Sequence, residues 1–260
     1  MYTLKEILEK VAQNQFSIAE AEKLLRILAI DEIENVANID SHRELRKGLP
    51  EVILAEGKDT NHLTEIVVKM LDSRGRSIVS RCNTTQIKAI KATLPKYAVL
   101  QVFDAARIIV VKKKDFVVSS TGGKVGLITA GTSDICVAEE AKIICESMGC
   151  QVITSYDIGV AGIHRLIAPL KKMVKEDVDV LVVVAGREGA LVSVVAGTVD
   201  VPVIAVPTSN SYGFGEKGVG TLMAMLQSCS LGLAVVNIDS GVAAGAIATL
   251  IANRAAKFRT

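Results

Sequence analysis

Two apolar bursts, Val180–Ala185 and Val203–Val206, each stop abruptly at small and polar residues. The first ends at Gly186 and the second at Pro207-Thr208-Ser209-Asn210-Ser211, with a short helical pattern between them. Near-continuous β-rich runs without polar alternation predict parallel strands that are buried on both faces and joined by a crossover helix. The same pattern recurs on both sides of this stretch. Residues 124–130 open into Gly131-Thr132-Ser133-Asp134, 151–156 end at Asp157-Ile158-Gly159, and 233–238 end at Asp239-Ser240-Gly241. Helical patterns over 135–148, 163–176, 188–199, 216–228 and 242–257 complete five β-α units. The expected fold class is therefore α/β, a doubly wound parallel sheet. Its strand exits carry Asp134, Asp157, Glu188, Ser209 and Asp239 on the one edge where such sheets form ligand crevices.

Upstream the periodicity changes. Residues 1–30 predict a hairpin of two short helices, with Ser17-Ile18-Ala19-Glu20 as a capping box and Leu24, Leu25 and Leu28 as an apolar face. Residues 31–111 predict a small mixed α/β domain. It has a strand at 52–55, a helix at 60–72, a strand at 77–81, a helix at 84–92 and a hairpin over 98–111. The charged, then Ser/Gly-rich stretch 112–123 reads as a linker to the parallel-sheet domain, 124–260.

Bulk properties narrow the function classes. The chain has 260 residues, half of them hydrophobic, and a positive mean hydropathy, which suits a sheet covered on both faces. No apolar run is long enough to span a bilayer; 241–252 is Gly/Ala-rich and fits a packed terminal helix. The amphipathic, acidic start is unlike a signal peptide, and the expected location is cytoplasmic. A net charge of +2, no Trp and 3% aromatics argue against a nucleic-acid surface. The cysteines Cys82, Cys136, Cys145, Cys150 and Cys229 form no CxxC pair or metal-like spacing and read as free thiols.

The chemistry on offer is modest when each motif stands alone. Thr132, Ser133 and Asp134 at a helix start can bind an anion, and equally Ser133 or Asp134 is a good N-cap. In Gly186-Arg187-Glu188-Gly189, Glu188 can act as a general base or merely favour the first helical turn. The loop from Pro207 to Gly215, with Ser209 and Tyr212, is small-residued and able to fold over a ligand. Asp239 can hold a metal ion or a hydroxyl. His164 and Arg165 can face a phosphate, although a lone His is more often structural. Arg43 and Arg46, three apart, can clamp a phosphate with Lys58 nearby, although a solvated basic loop is the more common outcome. Cys229 closes a helix, where thiolate is disfavoured, and by location reads as a quiet cysteine.

Longer motifs add a resemblance. AGTSD at 130–134, AGREGALVSVVAG at 185–197 and VPVIAVPTS at 201–209 resemble the PurE-type aminoimidazole ribonucleotide carboxylases. Those enzymes carry a histidine where this chain has Ala190. The fuller resemblance is to the LarB family, pyridinium-3,5-biscarboxylic acid mononucleotide synthases of nickel-pincer cofactor assembly. It rests on Asp40-Ser41-His42-Arg43 with Arg46, Gly48 and Pro50–Ile53, on SYDIGVAGIHRL at 155–166, on the turn at 185–191, and on 228–239, and runs from about residue 40 to about 250. Val192, Gln227 and Ser240 depart from the family's usual Pro, Asn and Asn.

This resemblance implies C5 carboxylation of the pyridinium of nicotinic acid adenine dinucleotide, with CO2 or bicarbonate as co-substrate, and hydrolysis of its phosphoanhydride. It implies Cys229 as nucleophile at ring C4 and Glu188, or else Asp134, as the C5 base. Thr132, Ser133, Gly186, Ser209 and Tyr212 would hold the ligand, with Arg43, Arg46 and Lys58 on the nucleotide. Asp157 or Asp239 would support Mg2+ on the pyrophosphate; no organic cofactor is expected. It also implies a homo-octamer with sites near subunit boundaries. A purine-type carboxylase and a non-catalytic nucleotide binder are the rival readings.

Overall fold

The computed structural model describes residues 4–31 and 47–259. The basic stretch with Arg43 and Arg46 lies outside the described residues. The chain divides into two compact units, 1–51 and 52–260. In the first, α1 (Leu4–Ala12) packs with α2 (Ile18–Asp31), and Ile7 and Ala21 are buried. The capping box forms as read: Glu20 N donates to Ser17 Oγ at 3.2 Å and Ser17 N donates to Glu20 Oε2 at 2.8 Å.

The second unit contains two sheets. The first is mixed, in the order β1-β2-β4-β3, from β1 (Val52–Leu54), β2 (Arg76–Ser80), β3 (Ala98–Phe103) and β4 (Ile108–Lys113). β1 and β2 are parallel, linked by α3 (Thr60–Arg74), and β3 and β4 form the expected hairpin. Asp59 caps α3 through the amides of Asn61 and His62, and Gly75 ends it in the left-handed conformation that glycine adopts without strain. α4 (Thr84–Thr93) packs on α3.

The second sheet is parallel throughout, in the order β6-β5-β7-β8-β9. Its strands are β5 (Lys124–Thr129), β6 (Gln151–Ser155), β7 (Val180–Ala185), β8 (Val203–Pro207) and β9 (Leu233–Val235). α5 (Ile135–Ser147) and α9 (Gly241–Ala256) cover one face; α6 (His164–Lys175), α7 (Ala190–Ala196) and α8 (Val219–Leu226) cover the other. Every residue of β7 and β8 is buried, which accounts for their unbroken apolar runs. α9 owes its Gly/Ala composition to its closeness to α5. A Cβ on Gly241 would lie 2.1 Å from Val137 O, and one on Gly245 2.6 Å from Ala141 O. On the far side of α5, Ile143 and Ile144 meet Ile78, Ile108 and Val110, so the mixed sheet stacks on this helical layer.

Among the element boundaries that depart from the periodicity, three bear on the site. α7 begins at Ala190 rather than Glu188, because Arg187 (φ 54°) and Gly189 (φ 67°) are left-handed and hold Glu188 in a turn. Its electrostatic role in a first helical turn falls away with that geometry. α8 begins at Val219 rather than 216, because Glu216 and Lys217 are also left-handed. β9 ends at Val235, after which Asp239 N turns back to donate to Pro207 O at 2.9 Å. Among the described residues no helix is long and apolar enough to cross a membrane.

Candidate active site

The chain runs from β5 to its neighbour β6 and then back across to β7 on the other side of β5. That reversal opens a crevice beyond the carboxyl ends of β5 and β7. A cavity of about 520 Å3 lies there, lined among others by Gly131, Asp134, Gly186, Glu188, Asn210 and Tyr212. It falls within the size range of small-molecule sites.

Asp134 anchors the crevice from beneath. It does not cap α5; its carboxylate folds back, accepting from Gly131 N at 3.0 Å and from the Thr208 hydroxyl at 2.8 Å. Only 2% exposed, it is pushed above the usual carboxylate range by burial, against the lowering effect of its donors. Gly186 passes directly over this pair, where a Cβ would meet Thr208 Oγ1 at 2.8 Å, so no larger residue fits without displacing it. Asn210 Nδ2 donates to Ser133 O at 2.7 Å, closing the β8 exit onto the β5 exit.

The turn after β7 is held in place by the next loop. Arg187 N donates to Ser211 Oγ at 3.0 Å, the Thr221 hydroxyl donates to Arg187 O, and the Arg187 guanidinium lies 4.1 Å over the Tyr212 ring. Glu188, at its apex, is exposed and lines the cavity. The site thus pairs an accessible carboxylate with a buried one, beneath a cationic and aromatic rim. An accessible carboxylate can take a proton from a bound ligand, and the rim can hold an anionic or planar one.

Residues 30–114 match the LarB/PurE-like N-terminal domain, and residues 124–258 match AIR carboxylase. An uncharacterized protein of Methanocaldococcus jannaschii is 42% identical over 253 residues, which is 96% of either chain. The chain belongs to the LarB family.

Thr132 and Ser133 are exposed in the short turn before α5. Ser209 N donates to Asp239 Oδ1 at 2.9 Å, joining the exits of β8 and β9. Asp157 pairs with Arg165 at 3.5 Å beyond β6, and His164 is exposed at the start of α6. Lys58 is exposed beyond β1. Asp157 and Asp239 follow the two edge strands of the sheet, so they cannot share one ion within a chain. Among the described residues no group of three or more His, Cys, Asp or Glu is placed to hold a metal ion.

Cys229 stands apart from the LarB-type turn. It is exposed in the segment between α8 and β9, on the edge where strands enter, whereas the cavity opens where they leave. Its neighbours Ser228 and Ser230 bond Ser193 of α7, each at 2.8 Å. Cys136 is a partly exposed thiol at the exit edge; partial burial pushes it up, the Val137 amide opposes this, and the carboxylates of Glu140, Asp239 and Asp134 add to the rise.

Several residues at this edge are not apparent from the sequence pattern. Thr208 is completely buried against Asp134. Arg81, left-handed at φ 55°, donates to Asp239 O at 3.2 Å and to Glu56 Oε2 at 3.2 Å, tying the mixed sheet to the exit edge. Near it, burial pushes the Glu140 carboxyl up to about 7. Arg81 directly follows a strand that runs parallel to β1, and that position at a strand's carboxyl end was the available signal.

Proposed function

We propose that this LarB-family chain carboxylates the pyridinium ring of nicotinic acid adenine dinucleotide at C5 and hydrolyses its phosphoanhydride. The products would be pyridinium-3,5-biscarboxylic acid mononucleotide and AMP, in nickel-pincer cofactor assembly. The observation that carries the reading is the cavity's proton chemistry. Glu188 stands accessible on a left-handed turn above buried Asp134, and Ala190 occupies the place where a PurE-type enzyme has its histidine. A site with carboxylate bases and no shuttling histidine suits removal of a ring proton.

A pyridinium carbon is electron-poor and does not attack CO2. Addition of a thiolate at C4 forms a C–S bond and sends the ring's electron pair to nitrogen, leaving C5 as the nucleophilic carbon of an enamine. C5 bonds to CO2, Glu188 takes the C5 proton, and the released pair re-forms the ring as the C–S bond breaks and the thiolate leaves. The net change is replacement of the C5 proton by carboxylate. In the hydrolysis, water adds to one phosphorus and the bridging P–O bond breaks.

Cys229 is the proposed nucleophile. Because it lies on the entry edge of its own chain, the thiol would reach a cavity from a second copy, in a homo-oligomer that family resemblance sets at eight. Exposed Val219, Met223 and Leu226 along α8, just ahead of Cys229, support that contact. Incubating the protein with the dinucleotide, bicarbonate and magnesium should give AMP and a mononucleotide heavier by one carboxylate, read by mass spectrometry. No new mass, or turnover of a purine ribonucleotide instead, would overturn the reading.

A further inference from the structure

The loop after β8 has properties that neither the cavity floor nor the sheet requires. Its two ends are tied to the Gly186–Gly189 turn, since Ser211 Oγ accepts from Arg187 N and lies 3.0 Å from Thr221 Oγ1, which itself donates to Arg187 O. Between these ties the backbone is left-handed at Gly213 (φ 66°), Glu216 (φ 39°), Lys217 (φ 54°) and Gly218 (φ 97°). Two successive non-glycine residues in that region are strained. A Cβ on Gly218 would lie 2.8 Å from Thr208 O, so this end is packed against the strand exit. A Cβ on Gly213 would meet nothing within 4 Å, so that end has room to turn.

At the middle of the segment Phe214 is 102% exposed, its ring standing in solvent. Two residues earlier, Tyr212 lines the cavity beneath the Arg187 guanidinium. A fully exposed ring on a strained loop is free to cover a ligand, and Asn210 and Tyr212 of the same loop border the cavity. We propose that residues 212–217 are a lid and that Phe214 closes onto a planar heteroaromatic ring of the bound ligand. This rests on the dinucleotide reading above and adds a ring-recognition residue and a moving part to it.

The chain contains no tryptophan, so Phe214→Trp supplies a single indole reporter at the lid. Titrated with nicotinic acid adenine dinucleotide, that variant should show quenched emission that saturates with the heat of binding measured by calorimetry. Phe214→Ala should weaken binding by about tenfold to a hundredfold, the usual consequence of losing one stacked ring. Phe214→Tyr should restore it, and light scattering should give all three variants the wild-type mass. An unchanged indole spectrum at saturating dinucleotide would overturn the lid, as would Phe214→Ala binding like the wild type or losing oligomeric mass. If the wild-type protein itself gives no heat of binding, the dinucleotide reading falls and the lid with it.

Discussion

The two faces of the parallel sheet are finished in different ways. On one, α5 and α9 approach so closely that Gly241 and Gly245 are needed between them, and Ala244, Ala248 and Ala252 are completely buried. The mixed sheet then covers α5 through Ile78, Ile108 and Val110. On the other face, α6 and α8 press Leu166, Leu170, Met173 and Met225 onto the sheet and leave Ile167 and Val174, and Val219, Met223 and Leu226, in solvent, with Ile163 exposed just ahead of α6. A helix with one apolar stripe needs one partner; α5 has two such surfaces and two partners, whereas α6 and α8 have two surfaces and one partner. The covered face is closed over α5, although Ile247 and Leu250 of α9 stay partly exposed. The bare face has the composition of an interior whose other half is missing, and it carries Cys229 and borders the aromatic loop.

The largest effect expected from this contrast is chemical. Cys229→Ser, on the bare face, should lower carboxylation by on the order of a thousandfold or more, because a hydroxyl is a far poorer nucleophile at neutral pH. Cys136→Ser, at the exit edge beside the covered face, should keep most of the wild-type rate, since partial burial and then three carboxylates oppose its thiolate. Product formation by the two variants, each with its mass and circular dichroism checked, separates the faces. Loss of turnover in Cys136→Ser with retention in Cys229→Ser would reverse the assignment and place the nucleophile in the same chain as the cavity.

That contrast also marks the limit of what the amino-acid pattern discloses. The strands were legible because burial on both faces leaves unbroken runs such as Val180–Ala185, and the terminal helix because close packing demands Gly and Ala. The site was legible only as a set of polar strand exits. Whether Glu188 lies in a helix or a turn depends on Arg187 adopting a left-handed conformation that Ser211 and Thr221 stabilise from more than twenty residues away. Asp134 reads as a cap until Thr208, just past the end of β8, draws its carboxylate under Gly186. Arg81 gives little local signal, because its partner, Asp239, lies 158 residues further along the chain. Nor does local periodicity distinguish a stripe that will be covered from one left bare, since α5 and α8 are both apolar on more than one side.

A smaller effect is expected from filling the covered face. Gly245→Val places its Cβ 2.6 Å from Ala141 O and 2.9 Å from Ala141 Cα, backbone atoms that can yield only if α9 moves off α5. Overpacking of this kind should lower stability by roughly 3 kcal/mol, read from urea unfolding. Because Asp134 sits in the turn that leads into α5, and α5 supports the mixed sheet, affinity for the dinucleotide should fall in parallel. A loss below about 1 kcal/mol would show that the two helices have slack and that the Gly/Ala composition of α9 has another cause.

The smallest change in stability should come from the bare face. Met223 and Leu226 are 61% and 64% exposed, so replacing both with Ser removes little buried apolar area from the subunit itself. Its intrinsic stability, measured after dilution to a single chain, should change by no more than about 0.5 kcal/mol per site, as for other surface positions. The oligomeric mass should nevertheless fall, because the same side chains are the apolar core of the proposed contact between copies. Carboxylation should fall with it, since Cys229 would no longer be presented to a neighbouring cavity, whereas dinucleotide binding to that cavity should persist. Light scattering, calorimetry and product analysis on one preparation separate these quantities. An unchanged mass with full activity would mean that the stripe on α8 faces solvent in the working enzyme, and the second partner of the bare face would have to be sought along Ile167 and Val174 of α6 and Ile163 just before it.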